Sequence, residues 1–293
     1  MQTSKKVVVK LKGGMGNQMF QYAFGKMLEK TAAENGTPIS LSFDTTAFTN
    51  PPAADTKRPY MLEPLRTSAI IADDATALRA RNPYGILSKI TRKLLQKYSI
   101  GNPVAFIPAL LQPPYKGYYE GYWQSEKYFL PIADTLRKEF TLQNPLGPEG
   151  ARLAALVSAD PNAVSIFYRR TDYVGNKTFD IGEQDYQTRA IAHMRTLVPN
   201  MKLYVMSDDI AWVKEHANLP EGSVFVTSKE LPFHEEMHIA SLCKHNIIPN
   251  STFCWWGAWL NQNPNKIVIA PKLWAHSTTD EYKDITPPSW LRI

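Results

Sequence analysis

The chain has 293 residues, of which 44% are hydrophobic and 20% are charged, and its formal net charge is +6. This length suits one large domain or two ordinary ones, and the composition excludes a fibrous or disordered chain. Two cysteines allow neither a disulfide framework nor a CxxC metal cluster, so a reducing compartment is expected. The positive charge suits an anionic ligand or membrane surface, whereas nothing in the sequence indicates nucleic-acid binding.

The sequence predicts a cytoplasmic protein. The N-terminus has no apolar leader, and no apolar run approaches the length of a membrane span. A basic amphipathic helix is predicted over 86–98. It fits an ordinary surface helix, which is the favoured interpretation, or a peripheral contact at the inner face of the membrane. The sequence does not fix an oligomeric state.

The first half opens with a predicted strand at 6–11, a glycine turn that begins at Gly13, and a helical pattern over 19–28. Glycines suit a tight turn, and the exposed amides at a helix start favour anions. Asn17 and Gln18 are therefore predicted to face a ligand, with a plain tight turn as the alternative. The glycines form neither a Walker loop nor a full dinucleotide fingerprint.

The remainder of the first half contains a second predicted strand at 39–44 and a proline-rich loop at 49–60. The aromatic block at 118–129 indicates either a stacking surface or a packed strand-to-helix turn. Residues 143–150, Gln-Asn-Pro-Leu-Gly-Pro-Glu-Gly, are the best linker candidate, and the domain boundary is predicted after residue 146.

The second half alternates strands and helices, which predicts a parallel sheet with right-handed crossovers. The alternation begins with a β-branched and aromatic run that is typical of a buried strand. The predicted strands are 164–169, 203–206, 223–226, 246–248 and 267–270. The predicted helices are 183–197, a segment through 212–214, 234–244 and a segment from residue 254.

Three of these strands end in polar side chains that suit a nucleotide diphosphate. The carboxyl ends of parallel strands share one edge, where open α/β sheets bind ligands. Arginine forks and helix-start hydroxyls or amides match phosphate, and acids match ribose hydroxyls or a guanine edge. Ion pairing, helix capping and a solvated helix start remain the ordinary alternatives. Asp172 follows the two arginines at the first of these strand ends. The predicted donor contacts are Asn17 and Gln18 in the first half and Arg169, Arg170, Ser207, Asp208, Asp209, Asn250, Ser251, Thr252 and Phe253 in the second.

Four blocks of this sequence resemble, in the same order, the α-1,2-fucosyltransferase family, glycosyltransferase family 11. The blocks span nearly the whole chain. Phe167 stands at the histidine of the family's His-x-Arg-Arg-x-Asp motif, and Cys254 stands where a serine is common. The four blocks are 13–23, 121–129, 169–172 and 250–260.

The resemblance implies an α/β, GT-B-like fold in which two Rossmann-like domains face each other across a cleft. Residues 1–146 would form the N-terminal acceptor-side domain and residues 147–293 the C-terminal GDP-fucose-binding domain. The implied reaction moves L-fucose from GDP-β-L-fucose to the 2-hydroxyl of a terminal β-galactoside, with inversion. No cofactor and no metal are implied, and Tyr122, Trp123 and Gln124 are the expected acceptor contacts.

The departure of GDP requires stabilisation of negative charge at the β-phosphate. Arg169 is the first candidate for this role, with Arg170 and the turn around Ser251 in support. Inversion by single displacement would normally use a base to accept the acceptor's proton. Asp172 is preferred for this role, although it would equally well orient an arginine. The other candidate bases are Asp44, Glu120 and Glu126.

Two other functions remain open. One is a transferase that uses another nucleotide sugar, or forms another linkage, on the same fold. The other is a non-catalytic glycan-binding protein, in which tryptophan rings would serve as stacking platforms. These rings belong to Trp123, Trp255, Trp256 and Trp259.

Phe167 raises a separate question. In an extended strand, residues 165, 167 and 169 point to the same side, so Phe167 is expected to lie beside or behind Arg169. Phenylalanine cannot make the hydrogen bonds of a histidine. The sequence therefore predicts that Phe167→His raises kcat/KM about tenfold. The alternative is that Phe167 is a compensated packing residue.

Overall fold

The computed structural model describes residues 4–49, 58–83, 104–171, 173–277 and 280–293, leaving aside the side chains of 183 and 184. The chain divides into two compact units. Unit 1 comprises Met1–Thr141 and Asp280–Ile285, and unit 2 comprises Leu142–Thr279 and Thr286–Ile293. The division therefore lies a few residues before the predicted boundary, and a short segment near the C-terminus returns to unit 1.

The returning segment is tied to unit 1 by Asp284. Its carboxylate accepts a hydrogen bond from the backbone amide of Phe106 at 3.2 Å and pairs with Lys127. A local sequence pattern gives no sign of such a contact, because the partners are more than 150 residues apart along the chain.

Unit 1 contains a three-stranded parallel sheet in the order β2–β1–β3. The strands are β1 Lys5–Lys10, β2 Ile39–Asp44 and β3 Tyr118–Tyr119. The helices are α1 Met15–Glu34, α2 Thr46–Thr49, α3 Asp74–Arg81 and α4 Ala133–Glu139. Short 3-10 turns cover Pro108–Leu111, Glu126–Tyr128, Leu130–Ile132 and Asp280–Tyr282.

Helix α1 packs closely against the unit 1 sheet. A Cβ atom at Gly25 would lie 2.9 Å from the Phe43 ring, so glycine at this position allows the close approach. The same helix buries Phe24, whose ring stacks on Trp123 at a centroid distance of 4.0 Å. The core of unit 1 therefore lies between α1, the sheet and the aromatic block that follows β3.

Unit 2 contains a six-stranded parallel sheet in the order β6–β5–β4–β7–β8–β9. Its strands are β4 Ala163–Tyr168, β5 Lys202–Ser207, β6 Val224–Phe225, β7 His245–Ile247, β8 Val268–Ala270 and β9 Leu291–Arg292. Its helices are α5 Pro148–Ala159, α6 Glu183–Leu197, α7 Ile210–His216, α8 Phe233–Leu242 and α9 Thr252–Leu260.

Strand β4 is buried along its whole length, which explains its uninterrupted apolar sequence. One face packs Val164, Ile166 and Tyr168 into a cluster that includes residues of α6. On the other face, the Ser165 hydroxyl accepts a hydrogen bond from the Asn246 side chain at 2.7 Å.

Each sheet has one topological switch point. In unit 2 the chain runs from β4 to β5 and β6 on one side, and then to β7, β8 and β9 on the other. In unit 1, β1 likewise has β2 on one side and β3 on the other. Where the connections that follow two neighbouring parallel strands run to opposite sides, the carboxyl ends of those strands leave a crevice that commonly binds ligands.

Among the described residues, no helix combines the length and the apolar character needed to cross a membrane. The basic helix predicted over 86–98 lies outside the described residues, as does most of the loop at 49–60. Peripheral membrane contact therefore stays a prediction.

Candidate functional site

A cavity of about 290 Å³ opens beside the carboxyl ends of β4 and β7, at the switch point of unit 2. Arg169 and Arg170 enter its wall from the end of β4, and Asn250 enters from the segment after β7. The wall also includes Tyr173 and Phe179 from the loop that leads to α6. The sheet order thus places three of the predicted donor contacts on one cavity.

Arg169 is held by an ion pair but still reaches solvent. Its Nη1 lies 3.2 Å from Oδ2 of Asp208, and the two side chains are 27% and 18% exposed. The guanidinium carbon lies 5.6 Å from the centre of the Tyr173 ring, and the Tyr173 hydroxyl donates to the Asn250 carbonyl at 3.1 Å. These contacts fix a permanent positive charge at the edge of the sheet.

Asp208 binds the protein chain through both carboxylate oxygens. Oδ1 accepts from the Arg170 amide at 2.8 Å, and Oδ2 accepts from the Thr171 hydroxyl at 2.6 Å and the Thr171 amide at 3.2 Å. The predicted contact of Asp208 with ribose or guanine stays a prediction. Asp208 orients Arg169 and closes the turn after β4.

Arg170 lies flat against an aromatic ring. Its guanidinium carbon is 3.3 Å from the centre of the Trp212 ring in the first turn of α7. Its Nε atom is buried and has no hydrogen-bond acceptor among the described residues. Stacking uses the face of the guanidinium, and a hydrogen bond to an anion uses its edge. Arg170 therefore keeps a donor edge at the cavity wall.

Ser207 and Asp209 shape the turn between β5 and α7. The Ser207 hydroxyl accepts from the Asp209 amide at 2.9 Å, and Asp209 Oδ1 accepts from the Trp212 amide at 3.1 Å. Asp209 is thus the N-cap of α7, the ordinary alternative for an acid at this position. The predicted donor contacts of both residues stay predictions.

The segment after β7 is anchored by Asn250, which is 2% exposed. Its side-chain amide donates to the carbonyls of Phe179 at 2.9 Å and Trp274 at 2.8 Å. Ser251 occupies the N-cap position of α9, yet its side chain makes no capping hydrogen bond within the described residues. Thr252 begins the helix, so the first-turn amides of α9 lie beside the end of β7.

Phe167 is 4% exposed and packs against Phe253, with ring centroids 6.1 Å apart in an edge-to-face arrangement. Phe253 in turn lies against Phe233 of α8, which is 40% exposed. Phe253, a predicted donor contact, thus packs between the buried ring of Phe167 and the exposed ring of Phe233. The packing supports the interpretation of Phe167 as a compensated packing residue.

Glu236 was missed by sequence reasoning. Burial raises the pKa of this α8 carboxyl from its ordinary value of 4.5 to about 7; a hydrogen bond with Thr227 opposes the rise, and the charge of Asp208 adds to it. Glu236 therefore lies in the electrostatic surroundings of the Arg169–Asp208 pair. Its sequence signal is weak, because an acid in the first turn of a helix is common.

In unit 1, Gln18 binds backbone groups. It is 0% exposed, its amide donates to the carbonyls of Gly13 at 2.9 Å and Pro59 at 3.0 Å, and its oxygen accepts from the Met61 amide at 2.9 Å. These bonds give Gln18 a structural role, and its predicted donor contact stays a prediction. Asn17 accepts a hydrogen bond from the Gln124 side chain at 2.8 Å.

The three predicted acceptor contacts differ in accessibility. Trp123 is 1% exposed, stacks on Phe24 and adopts a left-handed backbone with φ of 47°, so it is a core residue and that prediction is corrected. Gln124 is 7% exposed and its amide is bound to Asn17. Tyr122 is half-buried, with the Lys12 ammonium 4.7 Å from its ring centre.

Two other candidate bases in unit 1, Glu120 and Asp44, bind neighbouring side chains. Glu120 Oε1 lies 2.8 Å from the Lys10 ammonium and 3.3 Å from the Lys12 ammonium. Burial opposes ionisation, but the two lysines hold the pKa of Glu120 below its ordinary value. Asp44 accepts hydrogen bonds from the Tyr118 hydroxyl at 2.6 Å and from the Thr46 hydroxyl at 2.6 Å.

The four tryptophans named as possible sugar-stacking platforms are all buried. Trp123 is 1% exposed, Trp255 and Trp256 are 0% exposed, and Trp259 is 4% exposed. The stacking platform of the glycan-binding alternative is therefore wrong, because each of these rings is buried in a core.

Asp172, the preferred base, lies outside the described residues, so its role stays a prediction. Within the described ranges, no three His, Cys, Asp or Glu side chains are grouped to hold a metal ion. Independence of metal likewise stays a prediction.

The chain is similar in sequence to known glycosyltransferases. The sequence model of the family described as Glycosyl transferase family 11 matches residues 91–293. An alpha-1,2-colitosyltransferase of Escherichia coli is 31% identical over 98% of each chain. The O-antigen biosynthesis glycosyltransferase WbnK, also of Escherichia coli, is 27% identical over 97% of this chain and 99% of the relative.

Among solved structures, the fucosyltransferase NodZ from Bradyrhizobium is similar in fold. It superposes with a TM-score of 0.51 at 13% identity, over 87% of this chain and 93% of that chain. Together with the two parallel sheets, this likeness confirms the predicted α/β, GT-B-like fold class.

Proposed function

Because the chain belongs to glycosyltransferase family 11 and is a fucosyltransferase-like glycosyltransferase, we propose that it is an inverting galactoside α-1,2-fucosyltransferase. The proposed donor is GDP-β-L-fucose, and the proposed acceptor group is the 2-hydroxyl of a terminal β-galactoside. The observation that carries the proposal is Arg169 at the switch-point cavity, oriented by Asp208 and still exposed to solvent.

In this proposal Arg169 binds the β-phosphate of the donor. Negative charge develops there as the bond to the sugar breaks, and a fixed guanidinium stabilises that charge more in the transition state than in the ground state. Asp208 keeps the guanidinium in place, since their ion pair spans 3.2 Å. Arg170 adds a second fork from the same cavity wall.

The start of α9 is the proposed second phosphate contact. The first-turn amides and the Ser251 hydroxyl lie next to Asn250, whose side chain ties this segment to the cavity wall. Backbone amides at a helix start bind phosphate without any further charged residue. The acceptor hydroxyl loses its proton as it attacks, and Asp172 remains the preferred base.

Turnover of GDP-fucose against a panel of β-galactosides tests the proposal directly. Arg169→Ala should abolish turnover and weaken GDP binding about ten- to a hundredfold, because a charge-assisted phosphate contact is lost. Arg169→Lys should rescue little, since an ammonium presents no fork. Turnover should also persist in excess EDTA, because the arginines supply the positive charge at the diphosphate.

The matched control is Arg195→Ala, which removes an exposed arginine from α6, outside the cavity wall. It should leave both turnover and GDP affinity unchanged. Near-normal activity of Arg169→Ala, or an activity that disappears with chelator and returns with manganese, would contradict the proposed mechanism.

A second donor has support from one relative. The 31% identical protein is an alpha-1,2-colitosyltransferase. Colitose lacks one hydroxyl of fucose, so a site that binds that hydroxyl would reject the colitosyl donor, and a site that leaves it unbound would not. Competition between GDP-fucose and GDP-colitose, read as the ratio of the two kcat/KM values, decides which donor this chain prefers.

A further inference from the structure

The Arg170 guanidinium and the Trp212 indole form the closest cation–π contact of the described residues, at 3.3 Å from carbon to ring centre. The imidazole of His216 also stacks on Trp212, at 4.8 Å and nearly parallel. The indole therefore carries two planar groups, the guanidinium of Arg170 and the imidazole of His216.

Two further contacts hold Trp212 in place. Its backbone amide is bound by the Asp209 cap, and its side chain packs against the core of unit 2. Because Asp208 binds the backbone amide of Arg170, the main chain of the arginine is held by the residue next to this cap. Both partners of the stack are thus anchored at the carboxyl edge of β5.

The stack has a consequence for the hydrogen bonding of Arg170. A guanidinium donates in its own plane, so an aromatic ring on its face leaves all five N–H groups available. In this chain the Nε donor is buried with no acceptor among the described residues. The guanidinium as a whole borders the cavity, so an anion in the cavity would meet its exposed edge.

We propose that Trp212 is a positioning residue that presents the edge of Arg170 to the diphosphate of the donor. The inference rests on the proposed donor site. Trp212 does not itself contact the reacting atoms. Trp212 restricts Arg170 before the donor binds, so less side-chain conformational entropy is lost on binding. The effect of Trp212 should therefore fall on donor affinity more than on kcat.

Calorimetric titration with GDP, without acceptor, tests the inference on the intact chain. Trp212→Leu keeps an apolar side chain but removes the aromatic face, and it should weaken GDP binding about fivefold. Trp212→Phe should remain within about twofold of the wild type, because a smaller ring still stacks. In an Arg170→Ala background, Trp212→Leu should have no further effect on GDP affinity, since the coupled partner is gone.

Arg170→Lys provides a second variant if Trp212→Leu does not fold. It keeps the charge without the planar fork and should weaken GDP binding by a similar factor. Lys214→Ala is the matched control, because it removes the cation of another cation–π pair in unit 2, 5.0 Å from the Phe225 ring. This control should bind GDP as the wild type does.

The inference is overturned if Trp212→Leu and Arg170→Lys both bind GDP as tightly as the wild type does. It is also overturned if Trp212→Leu weakens GDP binding equally in the wild-type and Arg170→Ala backgrounds. The same titrations with UDP, ADP and inorganic pyrophosphate separate it from the proposed function. If the wild type binds one of these but not GDP, the proposed donor fails, and the variants are compared on the probe that binds. If none of the four probes binds, both conclusions fail.

Discussion

The switch points of the two sheets carry the same kinds of residue, but their polar groups are used differently. In unit 1, one carboxylate, Glu120, is shared by Lys10 and Lys12, and the buried amide of Gln18 binds three backbone groups. In unit 2, Arg169 and Arg170 border a cavity, and only one of them pairs with a carboxylate through its side chain within the described residues.

The difference shows what a parallel-sheet edge needs in order to bind an anion. Placing polar groups at the carboxyl ends of strands is not sufficient, because neighbouring side chains can satisfy them first. At the unit 1 edge, Gln18 and Glu120 are bound by neighbouring residues of unit 1. The unit 2 edge keeps unsatisfied positive charge, and this is the property that a diphosphate recognises.

Among the variants that test this comparison, the largest expected effect comes from removing Asp208, the acid that pairs with Arg169. Asp208→Ala should lower kcat/KM about a hundredfold, because Arg169 loses its ion pair and the turn after β4 loses three hydrogen bonds. The measurement is steady-state turnover with the donor that the wild type uses.

The control for this prediction is Asp209→Ala. It removes the N-cap of α7 and should destabilise the protein by about 1 kcal/mol while leaving the Arg169 ion pair intact. If Asp208→Ala kept wild-type kcat/KM, or if the two variants lost activity equally, Asp208 would not be the residue that orients Arg169.

The next largest effect should be on stability and should come from unit 1. Gln18→Ala leaves three backbone groups of Gly13, Pro59 and Met61 without their partner and should lower the free energy of unfolding by about 2–3 kcal/mol. GDP affinity should stay unchanged. Urea unfolding and a GDP titration check the two halves of this prediction, with the exposed Gln112→Ala as the control.

A large loss of GDP affinity in folded Gln18→Ala would restore the role that the sequence predicts for this residue. The unit 1 edge would then bind the donor as the unit 2 edge is proposed to do, and the contrast between them would fail.

The elements that the sequence predicts well are those with a strong local pattern. Strand β2 and helix α6 have the predicted bounds, because their apolar periodicity is regular. Strand β9 was not predicted, whereas β3 lies at the start of the aromatic block that the sequence interpreted as a strand-to-helix turn or a stacking surface. Sheet order depends on contacts between distant segments, so the switch points became visible only in the structure.

The candidate site was predictable as a location more than as a set of contacts. Strand ends carrying Arg169 and Asn250 indicated the edge that borders the cavity, because parallel strands share it. The N-cap role of Asp209 is local and was among the sequence alternatives, whereas the bond of Gln18 to the Met61 amide was not predictable, because that partner lies 43 residues away along the chain. The burial of Trp123 was missed for a related reason: an aromatic residue either fills a core or binds a ligand, and composition does not distinguish the two.

The next expected effect is smaller and concerns how the stability of the protein depends on pH. The pKa of Glu236 is raised from 4.5 to about 7, so the folded protein holds a proton that the unfolded chain releases between these values. Stability should therefore fall as pH rises through this window. Glu236→Gln removes the ionisation and should stabilise the protein by about 1–2 kcal/mol near pH 8, with little effect near pH 5.

Melting temperatures at several pH values measure this difference. The control is Glu221→Gln, which makes the same change of charge at an exposed position of unit 2 and should show no such pH-dependent gain. A Glu236→Gln variant whose stability relative to wild type is the same at both pH values would mean that this carboxyl does not titrate in the window.

The smallest expected effect concerns Phe167, where the resemblance and the structure lead to opposite results. The resemblance predicts that Phe167→His raises kcat/KM about tenfold, because a hydrogen-bonding group returns to the motif. The structure places Phe167 at 4% exposure with its ring against Phe253, so an imidazole would be buried among aromatic rings. We therefore expect kcat/KM to stay within about twofold and stability to fall by about 1 kcal/mol, which lowers the melting temperature by about 2–3 °C. Phe167→Leu is the control, since it keeps the site apolar while removing the ring. A histidine variant that gains activity without losing stability would show that this face of β4 contacts the donor after all, and that the unit 2 edge extends beyond Arg169.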